Sequence, residues 1–513
     1  MNRKHILSAL LLAVALGCSQ SALDKVNPNQ VTTEQYFKNN EELLKGVNSV
    51  YALLQSYNLW GREYFFSHDL RSDDVASGGG QLETPRNQLL NGVHDAGNGV
   101  SGSVWNGLYR LIHRANVVVD KSANVTVGDV AARKRIVAEA KFLRSLAYFD
   151  LVSQWGAVPL YKNFVASTDG FKARDKEEDV YAFIVADLQA AQTDLPAAYT
   201  GADLGRATKG AAQTLLARVH LQRGQYAEAK AELQKVISSG QYKLMDNFSD
   251  NFLEETEFNA ESIFEVGFSK IGDFNWDGDG NDNGANETVT RSQEYSPIGW
   301  RNLIPSNSLL AEYETVAKGD AQEDPRVRQS MYFIGDKFNG DKDILDDDKF
   351  KVQGNSSTFD GKTQKVSWRK YSHLYKSTET YYTSGINFRV MRYAEVLLMM
   401  AEAENEVGSP ATALTFLNQV RARKSVALAP YPTKNYPANS KDEVFRAVVH
   451  EKRVELAGEQ IRNRDLLRWR KLGKLKTEPL TYFQKGKHEL LPIPQSEIDN
   501  NTAIGLTGQN PGY

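Results

Sequence analysis

The fold of this chain is constrained most by a long stretch in which apolar residues recur at helical spacing. Between Val130 and Trp155, positions four or seven apart form one stripe, as the buried face of an α-helix requires: Ile136, Leu143, Ala147 and Leu151. Gly156 ends the pattern and Pro159 follows, which is typical of a helix end. The same period runs from Glu41 to Gln55 and from Val104 to Lys121. The sequence therefore predicts a mostly α-helical protein.

Two segments resemble tetratricopeptide repeats, in which small residues at fixed spacing let two antiparallel helices approach closely. The first segment is Ala207 to Ser238, with small, turn and bracing residues at Ala217, Gly224, Tyr226 and Ala229. The second is Tyr393 to Arg423, with Ala401, Gly408 and Ala413 in the corresponding places and Pro410 where the tyrosine is expected. Such repeats stack into a rigid scaffold. We therefore expect a tetratricopeptide-like helical-repeat scaffold.

The character of the sequence changes in two irregular regions, at about 56–102 and 241–387. Short strand-like runs such as Ser262 to Phe268 and Lys365 to Tyr371 alternate in the second region with Gly, Asn and Asp. Long irregular segments on a rigid scaffold often carry binding function. We therefore expect one domain over 32–513, in which the helical scaffold supports a large loop-rich region containing short β-strands.

The first residues have the pattern of a secretory signal peptide, which we assign to 1–17. Two basic residues, Arg3 and Lys4, precede an apolar run from Ile6 to Leu16. This run is too short to cross a bilayer as a helix, since about 20 apolar residues are needed. The pattern predicts export from the cytoplasm.

The signal peptide leads to Cys18, which is the only cysteine in 513 residues. An internal disulfide is therefore excluded. The string Ala15-Leu16-Gly17-Cys18 resembles a bacterial lipobox, which implies that Cys18 is acylated and becomes the mature amino terminus. Residues 18–31 would then be the lipidated cysteine and a flexible tether. The alternative is an unmodified cysteine that lies beside an ordinary cleavage site.

The sequence lacks the local motifs of several enzyme classes. It contains no phosphate-binding glycine loop, no His-Glu-x-x-His and no Gly-x-Ser-x-Gly. The formal net charge of −3 at pH 7 also argues against nucleic acid as a partner, which calls for a strongly basic face. A pair of glycosidase carboxylates is recognised by its separation in space, so a secreted glycosidase stays open here.

One segment has the opening of a calcium-binding loop. Its alternate positions offer the oxygen ligands of Asp273, Asn275, Asp277 and Asp279. The twelfth position is Gly284, where a bidentate glutamate is usual. We therefore prefer a polar surface loop, keep a structural calcium ion as the alternative, and expect no other cofactor.

Aromatic residues in the two irregular regions suggest a carbohydrate site, because sugar rings stack on aromatic faces while their hydroxyl groups bind polar side chains. The candidates in the second region are Trp276, Tyr295 and Trp300. Those in the first region are Asp73 and Asp74, which follow Trp60 and Arg71. The alternative is that each aromatic side chain pins a loop onto the scaffold.

Several strings together resemble the SusD/RagB family of outer-membrane nutrient-binding lipoproteins. They include AEAKFLRSLAYFDLVSQWGAVPL from Ala138, GRATKGAAQTLLARVHLQRGQYAEA from Gly205, RYAEVLLMMAEAENEVG from Arg392, EKRVELAGEQIRNRDLLRW from Glu451, and LLPIPQSEIDNN with the terminal QNPGY. These motifs occur in the family's order and span nearly the whole mature chain. The resemblance implies a SusD-like α/α fold with four tetratricopeptide-like units.

The same resemblance implies a function. Members are lipid-anchored at the outer membrane, face outward, and cooperate with a SusC-like TonB-dependent transporter to import oligosaccharides. The expected ligand is therefore a glycan, and no catalysis is expected. The open alternatives are a RagB-like peptide-binding lipoprotein, a secreted glycosidase and a scaffold without a small ligand.

Alternating charges in Glu451 to Trp469 allow more than one interpretation. They could form a solvated helix face, a contact with the transporter or salt bridges inside the protein. We favour internal structure.

Overall fold

Helices provide most of the regular secondary structure of the molecule. The computed structural model describes residues 36–272, 274–276, 286–350, 353–378, 384–505 and 508–513. The helices before residue 240 are α1 (Asn40–Leu54), α2 (Glu63–Asp69), α3 (Thr84–Leu90), α4 (Gly99–Lys121), α5 (Val130–Trp155), α6 (Glu177–Asp194), α7 (Lys209–Gln222) and α8 (Tyr226–Ser238). Those after it are α9 (Arg291–Tyr295), α10 (Asn307–Glu312), α11 (Arg326–Ser330), α12 (Tyr393–Val407), α13 (Pro410–Arg421), α14 (Lys441–Leu456), α15 (Arg462–Lys471) and α16 (Gln495–Asn500).

Helix α5 begins and ends where the sequence predicts. Asp129 caps its first turn, because the Asp129 carboxylate accepts the backbone N–H of Ala131 at 3.0 Å. Gly156 follows its last residue with a φ of 73°, which glycine adopts without steric strain. Every residue of the expected apolar stripe is at most 1% exposed. Helix α5 therefore lies in the core.

The long helices stack in an order that confirms the tetratricopeptide-like scaffold. Helix α1 packs on α4, and α4, α5, α6, α7 and α8 then pack in succession. Helix α12 packs on α8 and α13 packs on α12, although more than 150 residues separate α8 from α12 in the chain. The successive pairs are α1 with α4, α5 with α6, α7 with α8, and α12 with α13. The stack therefore has the four units that the family resemblance implies.

Pro410 stands at the first position of α13, where the repeat pattern calls for tyrosine. Proline fits there because the first helical N–H has no partner within the helix. The hydroxyl of Ser409 accepts the backbone N–H of Thr412 at 3.1 Å and caps the same turn. In place of the expected tyrosine, the second repeat thus begins this helix with a capping serine followed by proline.

Short strands accompany the irregular regions, as expected. They are β1 (Val75–Ser77), β2 (Ser262–Val266), β3 (Leu303–Pro305), β4 (Met331–Phe333), β5 (Lys337–Phe338), β6 (Asp343–Ile344), β7 (Ser357–Phe359), β8 (Lys362–Gln364), β9 (Val366–Trp368) and β10 (Phe388–Arg392). They form antiparallel pairs, β1 with β3, β2 with β10, β4 with β9, β5 with β6 and β7 with β8. Because β1 belongs to the first irregular region and β3 to the second, this pair joins the two regions.

A buried network of ion pairs fastens the loop-rich region to the scaffold. At its centre, the Glu455 carboxylate of α14 accepts hydrogen bonds from Arg392 at 2.7 Å, Arg423 at 2.8 Å and Arg326 at 3.0 Å. Although burial opposes ionisation, these three guanidinium groups hold the pKa of Glu455 well below its usual range. Glu451 accepts from Arg326 at 2.6 Å. Glu451 and Glu455 thus serve internal structure, as favoured for the segment from Glu451 to Trp469.

The amino-terminal assignments fall outside the described residues. The signal peptide at 1–17, Cys18 and the tether up to residue 31 all precede residue 36, where the described part of the chain begins. Across the described ranges, none of the helices has both the length and the apolar character needed to span a membrane. The lipid anchor therefore stays a prediction from the sequence.

Candidate functional site

Two tryptophans form an aromatic surface in the second irregular region. Trp276 is 41% exposed, and its ring centroid lies 5.4 Å from that of Trp300 at an interplanar angle of 50°. Trp300 is half-buried. Phe274 supports Trp276 from the inside through an edge contact at 4.8 Å. We call Trp276 and Trp300 the tryptophan platform.

The guanidinium of Arg62 lies against the tryptophan platform. Its central carbon is 5.2 Å from the ring centroid of Trp276 and 5.9 Å from that of Trp300, within cation–π range. Arg62 comes from the first irregular region and is only 4% exposed. It therefore joins the two regions at the same place as the aromatic surface.

Arg62 is held by acceptors on several elements. It donates to Glu294 at 2.6 Å, to the hydroxyl of Tyr57 at 2.9 Å and to Glu83 at 3.0 Å. Burial disfavours its charge, but the nearby carboxylates of Glu294 and Glu63 outweigh this and raise the pKa of Arg62. The cation under the platform is therefore permanent and has a fixed position.

A tight turn presents Trp300. The backbone N–H of Trp300 donates to the carbonyl of Gln293 at 2.6 Å. A Cβ atom at Gly299 would lie 2.3 Å from that same carbonyl oxygen, so only glycine fits this close approach. Arg301 follows with a φ of 53°, an uncommon conformation for a residue other than glycine. The turn therefore depends on contacts that hold Arg301.

The Arg301 side chain supplies those contacts. Its buried guanidinium donates to the backbone carbonyls of Gln353 at 2.6 Å, Asn355 at 2.8 Å and Val366 at 2.9 Å. Burial lowers the pKa of Arg301 to about 10, which still leaves it charged at neutral pH. Arg301 thus anchors the turn without a carboxylate partner.

Polar groups of the first irregular region border the platform. Glu83 is exposed and reaches Arg62. The backbone N–H of the exposed Gln81 donates to the Gln353 side chain at 3.3 Å, and Gln353 in turn donates to the Trp300 carbonyl at 2.9 Å. Apolar ring faces and polar side chains are thus side by side. Such a surface can bind a solute that has both an apolar face and hydroxyl groups.

Asp73 and Asp74 do not belong to this surface, and their expected role as ligand contacts is corrected. Both are buried. Asp73 accepts from Arg462 at 2.7 and 3.0 Å, and Asp74 accepts from Arg453 at 2.8 Å. Burial and the Asp73 charge raise the pKa of Asp74 to about 6, against the opposing effect of Arg453. Both carboxylates are occupied by internal partners.

Tyr295 is corrected in the same way. It is 1% exposed, its hydroxyl donates to Asp69 at 2.9 Å, and its ring lies 4.0 Å from the Arg291 guanidinium carbon. Trp60 is also fully buried and stacks on Tyr64 at 4.0 Å. These two aromatic side chains therefore pack inside the protein and hold their segments onto the scaffold, which was the alternative to a role in ligand binding.

The calcium prediction lies mostly outside the described residues, which exclude Asp273, Asp277 and Asp279. The remaining candidate, Asn275, is described, and its backbone N–H donates to the side-chain oxygen of Asn286 at 2.7 Å. In the part of the chain that the structure describes, no group of three or more His, Cys, Asp or Glu is placed to hold a metal ion. A calcium ion in this loop stays a prediction.

Other concave surfaces lie elsewhere on the scaffold. A cavity of 350 Å³ between α4 and residues 161–171 is lined by Tyr109, Tyr161 and Phe171, among others. A cleft of 460 Å³ near the end of α1 is lined by Tyr51, Arg206 and Glu257, among others. Neither has a tryptophan among its described lining residues, and a third cleft of 520 Å³ on α4 has only Trp105, which is 1% exposed. The tryptophan platform is therefore the strongest candidate for a stacking ligand.

Comparisons with known proteins agree with this architecture. Residues 260–513 match the description "SusD family", and residues 22–221 match "Starch-binding associating with outer membrane". A SusD-like protein of Formosa agariphila is 26% identical over 100% of both chains. The starch-binding protein SusD of Bacteroides thetaiotaomicron is 24% identical over 78% of this chain and 76% of its own. A solved structure described as a laminarin binding SusD-like protein is 28% identical, with a TM-score of 0.74 over 93% of this chain and 100% of that one. The chain belongs to the SusD family.

Proposed function

We propose that this protein captures oligosaccharides without transforming them, by stacking sugar rings on the tryptophan platform. The observation that carries the proposal is the pair formed by Trp276 and Trp300, held above a buried Arg62 and bordered by polar side chains. Relatives described as starch-binding and laminarin binding support a glycan as the ligand class.

In this proposal, the Arg62 guanidinium orders the tryptophan platform. Arg62 makes cation–π interactions with the electron-rich faces of both indole rings. These interactions fix the positions of the rings before a ligand binds. A surface that is already ordered loses little conformational entropy on binding. The exposed Glu83 and Gln81 are placed to bind sugar hydroxyl groups beside the stacked ring.

Affinity measurements on single-residue variants test the site. Laminarin and starch oligosaccharides are titrated into the purified protein, into Trp276→Ala and into Trp300→Ala. Truncating a central aromatic contact typically costs ~2 kcal/mol, so we expect about 30-fold weaker binding for each variant. Phe171→Ala is the matched control, because Phe171 is 40% exposed, almost as much as Trp276, but lies at the separate cavity on α4.

The outcomes separate the alternatives. Unchanged glycan affinity in both tryptophan variants would remove the platform from the site. Release of new reducing ends from the bound oligosaccharide would favour a glycosidase. Binding to a peptide library but to no glycan on an array would favour the peptide-binding branch.

We further propose that acylated Cys18 holds the protein on the outer face of the outer membrane, beside a SusC-like TonB-dependent transporter. The lipobox-like string and the family description that names the outer membrane support this location. The full-length chain should copurify from detergent-solubilised outer membranes with a large barrel protein. Cys18→Ala should lose membrane association, and retention of both properties by this variant would refute the anchor.

A further inference from the structure

Arg71 is a buried arginine that has no partner among the described residues. It lies just after α2 and is 4% exposed. Its Nη1 atom is sealed from solvent and makes no hydrogen bond. Transferring a charged group from water into the protein interior costs free energy unless the group is paired. A buried guanidinium with an unpaired nitrogen therefore needs an explanation.

Every other buried arginine of the described ranges has acceptors. Most pair with carboxylates, as Arg144 does with Asp187 at 2.8 Å. Arg301 has no carboxylate partner, but three backbone carbonyls accept its hydrogen bonds. Arg71 has neither kind of acceptor, so the fold pairs its buried arginines consistently with this one exception.

The side chains around Arg71 are donors or neutral groups. His94 and His488 are 3% and 5% exposed, and their rings lie 5.8 Å apart. The Nδ1 atom of His94 and the Nε2 atom of His488 make no hydrogen bond of good geometry, although the backbone of Gln88 lies beside His94 and that of Gly92 beside His488. The hydroxyl of Tyr513 lies 2.9 Å from the other nitrogen of His94. We call Arg71, His94 and His488 the Arg71 cluster.

The described side chains near Arg71 supply no free negative charge. Burial raises the pKa of Tyr482 and of Tyr513 to about 12, so both phenols are neutral at pH 7. Glu478 is engaged by Arg470 at 2.8 and 2.9 Å. Glu489 accepts the backbone N–H of Gly486. With no counter-charge, burial lowers the pKa of Arg71.

One edge of the guanidinium keeps some exposure to solvent. Of its nitrogens, only Nη1 is both sealed from solvent and without a partner. The Nε and Nη2 atoms also make no hydrogen bond with the described residues, so they lie in space that solvent enters. This edge of a guanidinium offers parallel N–H groups that match two oxygens of one anion.

We propose that the Arg71 cluster is a binding site for a small oxyanion of the carboxylate, sulfate or phosphate type. The oxyanion accepts two hydrogen bonds from Arg71, and each histidine turns a free ring nitrogen toward it as a donor. The oxyanion supplies the acceptors and the counter-charge that the described residues do not. This site is separate from the tryptophan platform and goes beyond glycan capture.

The test compares three forms of the purified protein: wild type, Arg71→Met and Arg301→Met. Thermal unfolding and calorimetric titration are measured with inorganic sulfate, with chloride at equal ionic strength as the reference. We expect sulfate to raise the unfolding temperature of the wild type in a saturable way. Arg71→Met should bind sulfate at least about tenfold more weakly, because it loses charge-assisted hydrogen bonds.

The control variant separates this effect from the general loss of a buried arginine. Arg301→Met should unfold at a lower temperature but keep the sulfate response. Arg71→Met should unfold without sulfate at a temperature equal to or above that of the wild type, since it removes an unpaired buried charge. An equal saturable response in wild type and Arg71→Met, or no saturable response in the wild type, would overturn the proposal.

Two further arms identify the source of the oxyanion and keep the two proposals apart. A uronic acid and the matching neutral sugar are titrated in parallel, and a response to the uronic acid alone assigns the oxyanion to a glycan. Trp276→Ala should keep the sulfate response even when it loses neutral glycans. Loss of the sulfate response in Trp276→Ala would contradict a separate site.

Discussion

The ion-pair network around Glu455 gives a quantitative prediction about stability. Glu455→Gln keeps the size of the side chain but removes its charge. Glu455 is fully buried and lies within hydrogen-bond distance of Arg326, Arg392 and Arg423. The variant therefore leaves three buried guanidinium groups with one carboxylate fewer.

The magnitude follows from the remaining partners. Removing one member of a buried ion pair typically costs ~3–5 kcal/mol. Here each arginine keeps a second carboxylate: Arg392 keeps Glu459 at 2.7 Å, Arg423 keeps Glu261 at 2.6 Å and Arg326 keeps Glu451 at 2.6 Å. We therefore expect the lower end, a loss of about 3 kcal/mol in the free energy of unfolding.

Urea denaturation followed by tryptophan fluorescence measures this loss. The control is Glu41→Gln, which breaks the exposed pair of Glu41 and Lys45 at 2.8 Å on α1. An exposed pair of this kind contributes little, so the control midpoint should be unchanged within error. A loss below about 1 kcal/mol for Glu455→Gln would refute the view that this carboxylate holds the network together.

Two further predictions concern pH and the Trp300 turn. Although burial favours neutral His450, its hydrogen bonds with Glu312 and Glu314 and the charges of Glu312 and Glu451 raise its pKa to about 9. This contribution to stability is complete below pH 6.5 and is lost as the pH rises through about 9, so the difference in free energy of unfolding between the wild type and His450→Gln should shrink across that window. Gly299→Ala should weaken glycan binding at least about tenfold, because its Cβ would lie 2.3 Å from the Gln293 carbonyl. Gly80→Ala, whose Cβ meets no heavy atom within 4 Å, should bind glycan as the wild type does, and equal binding by the two variants would contradict the role of the turn.

Much of the scaffold could be predicted from the sequence because its signals are local. The stripe of α5, its capping Asp129 and its final Gly156 all act within one or two helical turns. The small residues Ala229 and Ala401 predict close helix packing within their own repeats, and both are fully buried, whereas the pairing of α12 with α8 is not local and has no such signal. Periodicity and side-chain size were sufficient for these elements.

The site was less predictable because exposure is a property of the assembled structure. Trp276, Trp300 and Tyr295 occur in one polar stretch of the sequence. In the structure, the Tyr295 hydroxyl donates to the buried carboxylate of Asp69, so Tyr295 faces inward. Asp73 and Asp74 have the same local sequence character as surface carboxylates. Their partners, Arg462 and Arg453, lie more than 370 positions away in the chain. No short-range signal distinguishes such a pair from a ligand contact.

Arg62 was missed for the same reason. Its contact with the two indoles joins residues from both irregular regions, and this depends on the pairing of β1 with β3. A search for arginines in the same loop-rich regions as tryptophans would have included it, but also several others. The two tryptophans are thus recognisable from the sequence, whereas the cation that orders them is not.

The long connection between α8 and α12 separates recognition from attachment. Glu261, Asp324 and Arg326 of this connection join the buried ion network, whereas Trp276 and Trp300 lie on its outer surface. Mutations on the outer surface can therefore accumulate without disturbing the helices. Ligand preference can diversify by drift or by exchange of this connection between paralogues, provided that its buried ion-network residues are inherited with it and that Arg62 is kept in the first irregular region. In protein engineering, a replacement of the outer surface should therefore leave the buried ion-network residues of this connection unchanged.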